Sequence, residues 1–354
     1  MKLIDRYIAK NILAATGLVT LMLAGLQVFI LFVNQLDELG RADFGFMQAS
    51  FFVLLQMPYQ VYLFFPMASL LGCLIGLGVM ANNRELIVMR AAGLSISQIT
   101  LSVLKVALIL ILTVTLTAEI LIPRLAHFAN KQKLQAVSGG QTLSTAQGVW
   151  LRNHNDFITI TSVLPNHSLF NVYQFRFNDD HKLVFARQIL SVMLIKNQWV
   201  AFDVKETLFK DNQVQTRQIP SMLWDVPVKP MVLKLIKSEP DEMTLREIKQ
   251  FLAIQKRSHQ VALNYQLAYW QRIIQPLTST VMMILAIPFI FGPLRSSTMG
   301  SKLLAGAIVG FSFHILNRFF GPISQVLQWP AVIAALGPTF LFAVLGIYLM
   351  RRVR

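Results

Sequence analysis

Cysteine is almost missing from this 354-residue chain. The single one, Cys73, lies inside an apolar run, so neither a disulfide framework nor a thiolate metal site is available. Six histidines, at 127, 154, 167, 181, 259 and 314, show no ligand spacing, and no metal site is expected. A phosphate-binding G-x-x-x-x-G-K-[ST] run is also missing. Gly300-Ser301-Lys302 only echoes it, without the upstream glycine spacing or a strand before it, so the chain should not bind ATP in the usual way. The absence of G-x-S-x-G, H-E-x-x-H and paired intramembrane acids argues against an intramembrane hydrolase or protease, and no catalytic residue is assigned. Charged residues make up only 14% of the chain and are nearly lacking in the middle of its apolar runs, where a secondary transporter would need ionisable groups. The formal charge of +15 comes without a compact basic stripe interleaved with aromatics. Nucleic acid is therefore discounted, since membrane proteins are commonly basic for topological reasons.

What is abundant is apolar length. Hydrophobic residues form 55% of the chain and mean hydropathy is +0.54. Several windows exceed the roughly 18 consecutive apolar residues that mark a spanning helix. The basic start, with Lys2, Arg6 and Lys10, leads into a first span over 12–33, too long for a signal peptide and lacking its cleavage pattern. A second apolar stretch over 51–81 contains Pro58 and Pro66 and is longer than one crossing, which predicts a kinked or partly interfacial start. Gly72, Gly76 and Gly78 in it allow close helix contact. The third span covers 101–122, with Glu119 near its outer end, where a carboxylate can reach water. The fourth begins at an aromatic belt of Tyr265, Tyr269 and Trp270 and runs past Pro276 and Pro288 to Phe291, with Arg272 expected to snorkel. A fifth covers 303–320 and ends beside Asn317 and Arg318. The sixth follows Trp329-Pro330 and stops at the basic C-terminus, Arg351-Arg352-Val353-Arg354. Basic residues at both termini and in the short 292–302 loop place both ends in the cytoplasm.

Three regions follow: spans one to three over 1–122, a polar insertion over 123–260, and spans four to six over 261–354. The insertion has strand patterns at 157–160, 172–177, 184–188, 192–195, 199–204 and 232–236, separated by polar turns, with almost no helix until its end. The fold class is thus an α-helical polytopic membrane protein with six transmembrane helices and an inserted all-β periplasmic domain, a β-sandwich or jelly roll. Tyr173, Phe175 and Phe177 share one face of a strand, where they either fill the core or line a groove for an acyl chain. Thr244-Leu245-Arg246-Glu247 has capping-box spacing and opens a return helix carrying Leu245, Ile248, Phe251 and Leu252 on one side.

Between the second and third spans lies the island 82–93, predicted to be a helix of about two turns, opened by Asn82 or Asn83 and stopped by Gly93. Leu86, Ile87, Val88, Met89 and Ala91 cover most of its circumference, so it should be buried in something other than water. It is either an interfacial turn or a coupling helix that takes force from a separate motor.

Asp5-Arg6-Tyr7-Ile8, the run Phe64 to Gly72, the island, Gln275-Pro276-Leu277 and the run Phe289 to Arg295 resemble the LptF/LptG lipopolysaccharide-export permease family, on its LptG side. The likeness covers essentially the whole chain in order. It implies a permease subunit of an ABC-type complex that draws lipopolysaccharide from the inner membrane and passes it to a periplasmic bridge, with an LptF-like permease, two LptB-like ATPase subunits and an LptC-like membrane-anchored jellyroll protein as partners. ATP would be bound by the ATPase, so no cofactor belongs to this chain. The resemblance makes the island the coupling helix, with Glu85 matching the acid that faces the ATPase and Arg84, Leu86, Met89 and Arg90 around it. It places Phe32, Arg41, Asn317, Arg318, Tyr173, Phe175 and Phe177 along the substrate path, with the first and fifth spans as lateral gates. Family members can carry lysines late in the first span and just after it, taken to meet lipid A phosphates, where this chain has Leu31, Asp37 and Glu38; Arg41 and Arg318 are candidate substitutes, the alternative being ordinary interfacial arginines. A lipoprotein-releasing or mechanotransmission permease, usually of four spans, and a non-transporting scaffold are the alternatives.

Overall fold

A computed structural model describes residues 3–137, 144–153, 155–163, 168–178, 180, 182, 183–195, 198–210, 213–224, 240–257, 263–291 and 298–352. Among them six helical segments are long and apolar enough to cross a membrane. In hydrocarbon a backbone must satisfy its own hydrogen bonds, which is why such runs become helices. The first is α1, Leu3–Gln35, followed by α2, Phe46–Asn82. A short α3, Glu85–Ala91, leads to α4, Ile96–Ile120, and α5, Ile122–Val137. After the strands come α6, Leu245–Arg257, α7, Leu263–Phe291, α8, Met299–Val326, and α9, Ala331–Arg351. Even the 21 residues of α9 reach roughly the 30 Å of a hydrocarbon core at about 1.5 Å per residue.

Helix α2 is the central post. It is continuous through Pro58 and Pro66 for 37 residues, so the kinked or partly interfacial start expected before its span belongs to one long helix. Two glycines one turn apart let α1 press on it. A Cβ at Gly72 would fall 2.4 Å from Thr16 Cα, and one at Gly76 would fall 2.9 Å from Ile12 Cα. This is small-residue packing, in which dispersion between closely approaching backbones replaces the hydrophobic effect that lipid cannot supply. One apolar cluster joins Ile8 and Ile12 of α1, Leu70, Leu74 and Leu77 of α2, Leu86 of α3, Ile99 and Val103 of α4, and the lower parts of α7, α8 and α9.

The third span does not end where the polar insertion was expected to begin. Only Leu121 separates α4 from α5, which carries the helix to Val137, so the first 15 residues of the insertion are helical rather than strand or coil. Pro123 falls in the first turn of α5, where an N–H has no intrahelical acceptor.

The strands are β1, Ser144–Asn153; β2, Asp156–Val163; β3, Leu169–Phe177; β4, Leu183–Ile195; β5, Gln198–Lys210; and β6, Gln213–Leu223. They form one antiparallel sheet in sequential order, a meander, among the described residues. The expected strands at 184–188 and 192–195 are one strand, since Ile189 and Ser191 continue the pairing with β5. The strand expected at 232–236 lies outside the described residues. Sequence patterning missed β1 and β6. Strand β6 runs Gln213, Gln215, Arg217 and Gln218 through an almost wholly exposed edge, and its Pro220 is tolerated because an edge strand can do without one donor.

The sheet buries Ile158, Ile160, Val172, Ile189, Val192, Val204, Trp199 and Trp224 on one face. Tyr173, Phe175 and Phe177 do not fill this core. They stand half-buried on the opposite face, while Val172 and Gln174 point inward. Gln174 is buried because it is satisfied: Trp224 Nε1–H donates to its Oε1 at 3.0 Å, and its Nε2 donates to Asp156 at 3.2 Å.

The return helix follows its capping box. Thr244 N–H donates to Glu247 Oε2 at 2.9 Å and Glu247 N–H to Thr244 Oγ1 at 3.2 Å. Ile248 and Phe251 are buried against Tyr265 and Tyr269, so two of the three aromatics expected as a membrane belt also pack against α6. Arg272 does not snorkel: its guanidinium donates to the carbonyls of Met243 and Pro240 and lies 3.9 Å from Glu119.

Candidate coupling helix and substrate path

The chain reverses between α2 and α3 by means of Arg84, whose φ of 61° is left-handed. Asn83 ends α2 rather than opening α3, so the expected asparagine cap is replaced by this turn; α3 has no side-chain cap bond. Gly93 does stop the helix. At φ 94° it donates to Arg90 O at 3.0 Å while Leu94 N–H reaches Met89 O at 3.1 Å, satisfying the last carbonyls. Ser95 then opens α4 with a reciprocal cap, accepting from Gln98 N–H at 3.2 Å and donating its own N–H to Gln98 Oε1 at 3.0 Å. Two firm terminations leave only residues 92–95 between α3 and α4.

The island is not buried all round. Leu86 is 2% exposed and sits in the bundle core with Met89 packed beside it, whereas Ile87 and Val88 are 53% and 66% exposed. Leu86 and Met89 are three apart and share the inward side, and the outward side is apolar without a partner among the described residues. Glu85 lies in the first turn, where a carboxylate is favoured by the helix dipole. Asn83 Nδ2 donates to its Oε1 at 3.3 Å, and its buried Oε2 has no hydrogen-bond donor among the described residues. A cleft of about 530 Å³ opens beside α3, lined by Arg84, Leu86, Ile87 and Arg90 on one side and by Phe291, Thr298 and Lys302 on the other.

On the far side of the bundle, Phe32 packs edge-on to Phe46 at 5.2 Å between centroids. Arg41 is exposed in the 36–45 turn, its N–H bonded to Glu38 O at 3.3 Å. Asn317 is half-buried and Arg318 exposed. Both lie well inside α8, which continues past the predicted end at Phe320 to Val326. One cation was missed from sequence. Lys133 of α5 reaches the end of α1, with Nζ 2.7 Å from both Gln35 Oε1 and Glu38 Oε2 and 4.9 Å from the centre of the Phe52 ring. No local pattern announces it, because α5 itself was not expected.

Residues 6–352 match the family described as the lipopolysaccharide export system permease LptF/LptG. The chain belongs to this family. The lipopolysaccharide export system permease protein LptG of Escherichia coli K12 is 35% identical over 352 residues, covering 99% of this chain and 98% of that protein. The LptG protein of Haemophilus influenzae is 33% identical over 354 residues, covering 99% of each. The lipoprotein-releasing and scaffold readings have no support in these likenesses. In this LptF/LptG family member the structure brings Arg84, Glu85, Leu86, Met89 and Arg90 together on one short helix, and it separates Phe32 and Arg41, near the start of α2, from the aromatic strand face of Tyr173, Phe175 and Phe177.

Proposed function

We propose that this chain is a permease subunit of an ABC-type complex that extracts lipopolysaccharide from the inner membrane and hands it to a periplasmic bridge. The family match over residues 6–352 carries the reading. In it, α3 and both termini face the cytoplasm and the sheet faces the periplasm as a jelly-roll-like trough. The partners are an LptF-like permease, two LptB-like ATPase subunits that bind the ATP, and an LptC-like anchored protein. The exposed Ile87 and Val88 dock in a groove of the ATPase, where the unpartnered Glu85 Oε2 meets a basic group. The outward apolar faces of α1, with Leu18, Met22 and Phe29, and of α8, with Leu304, Ile308, Phe311 and Phe319, admit acyl chains sideways. Arg318 and Arg41 hold headgroup anions at the rim, where a charge acts more strongly than in bulk water. Acyl chains then follow the Ile, Val and Trp face of the sheet, or the aromatic face of Tyr173, Phe175 and Phe177. Photocrosslinkers at Ile189 and at Phe175 distinguish these two. The central test is reconstitution with the three partner types in vesicles containing lipopolysaccharide. ATP-driven transfer of the lipid to a soluble bridge protein is expected, and hydrolysis without transfer overturns the assignment.

A further inference from the structure

The Asp5-Arg6-Tyr7-Ile8 run has no role in the path or in motor docking as described so far. Asp5 is 9% exposed although it opens a helix, where a carboxylate kept only for the dipole would remain in water. Burying a carboxylate is costly unless it is paired and hydrogen-bonded. Both conditions are met, and both by α4: Lys105 Nζ lies 2.7 Å from Oδ2, and Ser102 Oγ lies 2.5 Å from Oδ1. These two residues are three apart, so one face of α4 grips one carboxylate at two points.

The location of this grip matters. Ser102 and Lys105 stand two turns into α4, the helix joined to α3 by residues 92–95 and the two firm caps. Leu86 of α3 and Ile99 and Val103 of α4 lie in the same apolar cluster, with Met89 packed against it, so α3 and α4 are tied through the shared core as well as through the short linker. At the other end of the linkage, the fully buried side chains of α1 stop at Ala24, apart from Gln35, and beyond them α1 meets α2 only through partly exposed side chains, Val28, Leu31 and Phe32 against Phe52 and Val53. The apolar contacts of Ile8 and Ile12 are non-directional and permit sliding, whereas a two-point ionic grip fixes both rotation and height.

We propose that Asp5 is a positioning residue: with Lys105 and Ser102 it forms the joint through which movement of α3, carried into α4 by the short linker, turns α1. The joint converts displacement of α3 into displacement of α1, and it rests on the reading that a motor acts on α3.

The test uses the complete reconstituted complex, with spin labels at the exposed Met22 on α1 and Phe340 on α9 and with lipid transferred per ATP as a second readout. The wild type is expected to change its label separation when nucleotide is trapped. Asp5→Asn and Lys105→Met should keep basal ATP hydrolysis but lose most of that change and about tenfold in lipid per ATP, since breaking a half-buried pair uncouples the helices. The exchange variant Asp5→Lys/Lys105→Asp should recover at least part of both. An apolar pair, Asp5→Leu/Lys105→Met, separates packing from coupling: an assembled complex with transfer still lost supports the joint, and full recovery overturns it. Unchanged separation and transfer in Asp5→Asn also overturn it. A wild type with no nucleotide-dependent change and no transfer overturns the permease reading itself, which none of the variant results does.

Discussion

The carboxylate of Glu119 accepts the backbone N–H of Leu245 at 2.8 Å, across 126 positions of sequence. Leu245 is the first residue of α6, so its N–H has no intrahelical acceptor, and the end of α4 supplies one. Arg272 of α7 stands 3.9 Å from the same carboxylate and also donates to Met243 and Pro240. Three elements are thereby fastened where the insertion rejoins the helices.

Glu119→Ala should therefore destabilise the chain by about 1–2 kcal/mol, the scale of a lost helix cap. Glu119→Gln keeps an acceptor oxygen and should lose less. Thermal unfolding in detergent, followed by size exclusion, measures both; equal melting temperatures for Ala and wild type would refute the capping role.

Glu206 is fully buried between Arg187, at 2.5 Å, and Arg217. Burial by itself would raise its carboxyl, but hydrogen bonds from and the charges of the two arginines outweigh that and hold it below the usual range. The sign follows from linkage. Because the folded value is the lower one, its contribution is complete above the unfolded value of about 4.3 and is lost as pH falls through the folded value. Melting temperature should drop with acidification over that window in the wild type, and this component should vanish in Glu206→Gln. At neutral pH Glu206→Ala should cost about 3 kcal/mol, toward the low end for a broken buried pair because Arg217 reaches water.

The two sides of α3 should behave oppositely. Leu86→Ala removes a core side chain and should lower stability by roughly 2–4 kcal/mol. Ile87→Asp should leave the melting temperature of the isolated chain nearly unchanged yet abolish co-purification with the ATPase subunit. Glu85→Lys should permit assembly but stop hydrolysis and lipid transfer. Wild-type transfer in a folded Glu85→Lys complex would reduce this residue to a dipole partner.

Two glycines of neighbouring helices make a controlled comparison. Gly72→Ala places a methyl 2.4 Å from Thr16 Cα and should cost about 1–3 kcal/mol through overpacking. Gly17→Ala meets nothing within 4 Å in the same region of α1 and should be neutral or slightly stabilising, by up to about 1 kcal/mol, as helix propensity predicts. Similar melting shifts for both would contradict the close α1–α2 packing.

Six helices were legible in the sequence because a bilayer leaves an apolar run of that length no other way to satisfy its backbone. The same locality made the Thr244-to-Glu247 cap and the stop at Gly93 readable, since each is decided within four residues. The strands were legible where a buried face alternates, as in 172–177, and lost where it does not, as in the exposed edge β6. Which face of an element turns inward was not local at all. Tyr173, Phe175 and Phe177 were as good a core by pattern as Val172 and Gln174, and only pairing with β2 and β4 and the Trp224–Gln174 bond decided between them. The candidate site divides in the same way. Sequence placed Glu85, Leu86 and Met89 on one short helix, because a two-turn helix fixes its own geometry. The partners of Asp5, Glu119 and Lys133 lie about 100 or more residues away, and a charge in an apolar chain acquires its role only when packing brings its counterpart within reach.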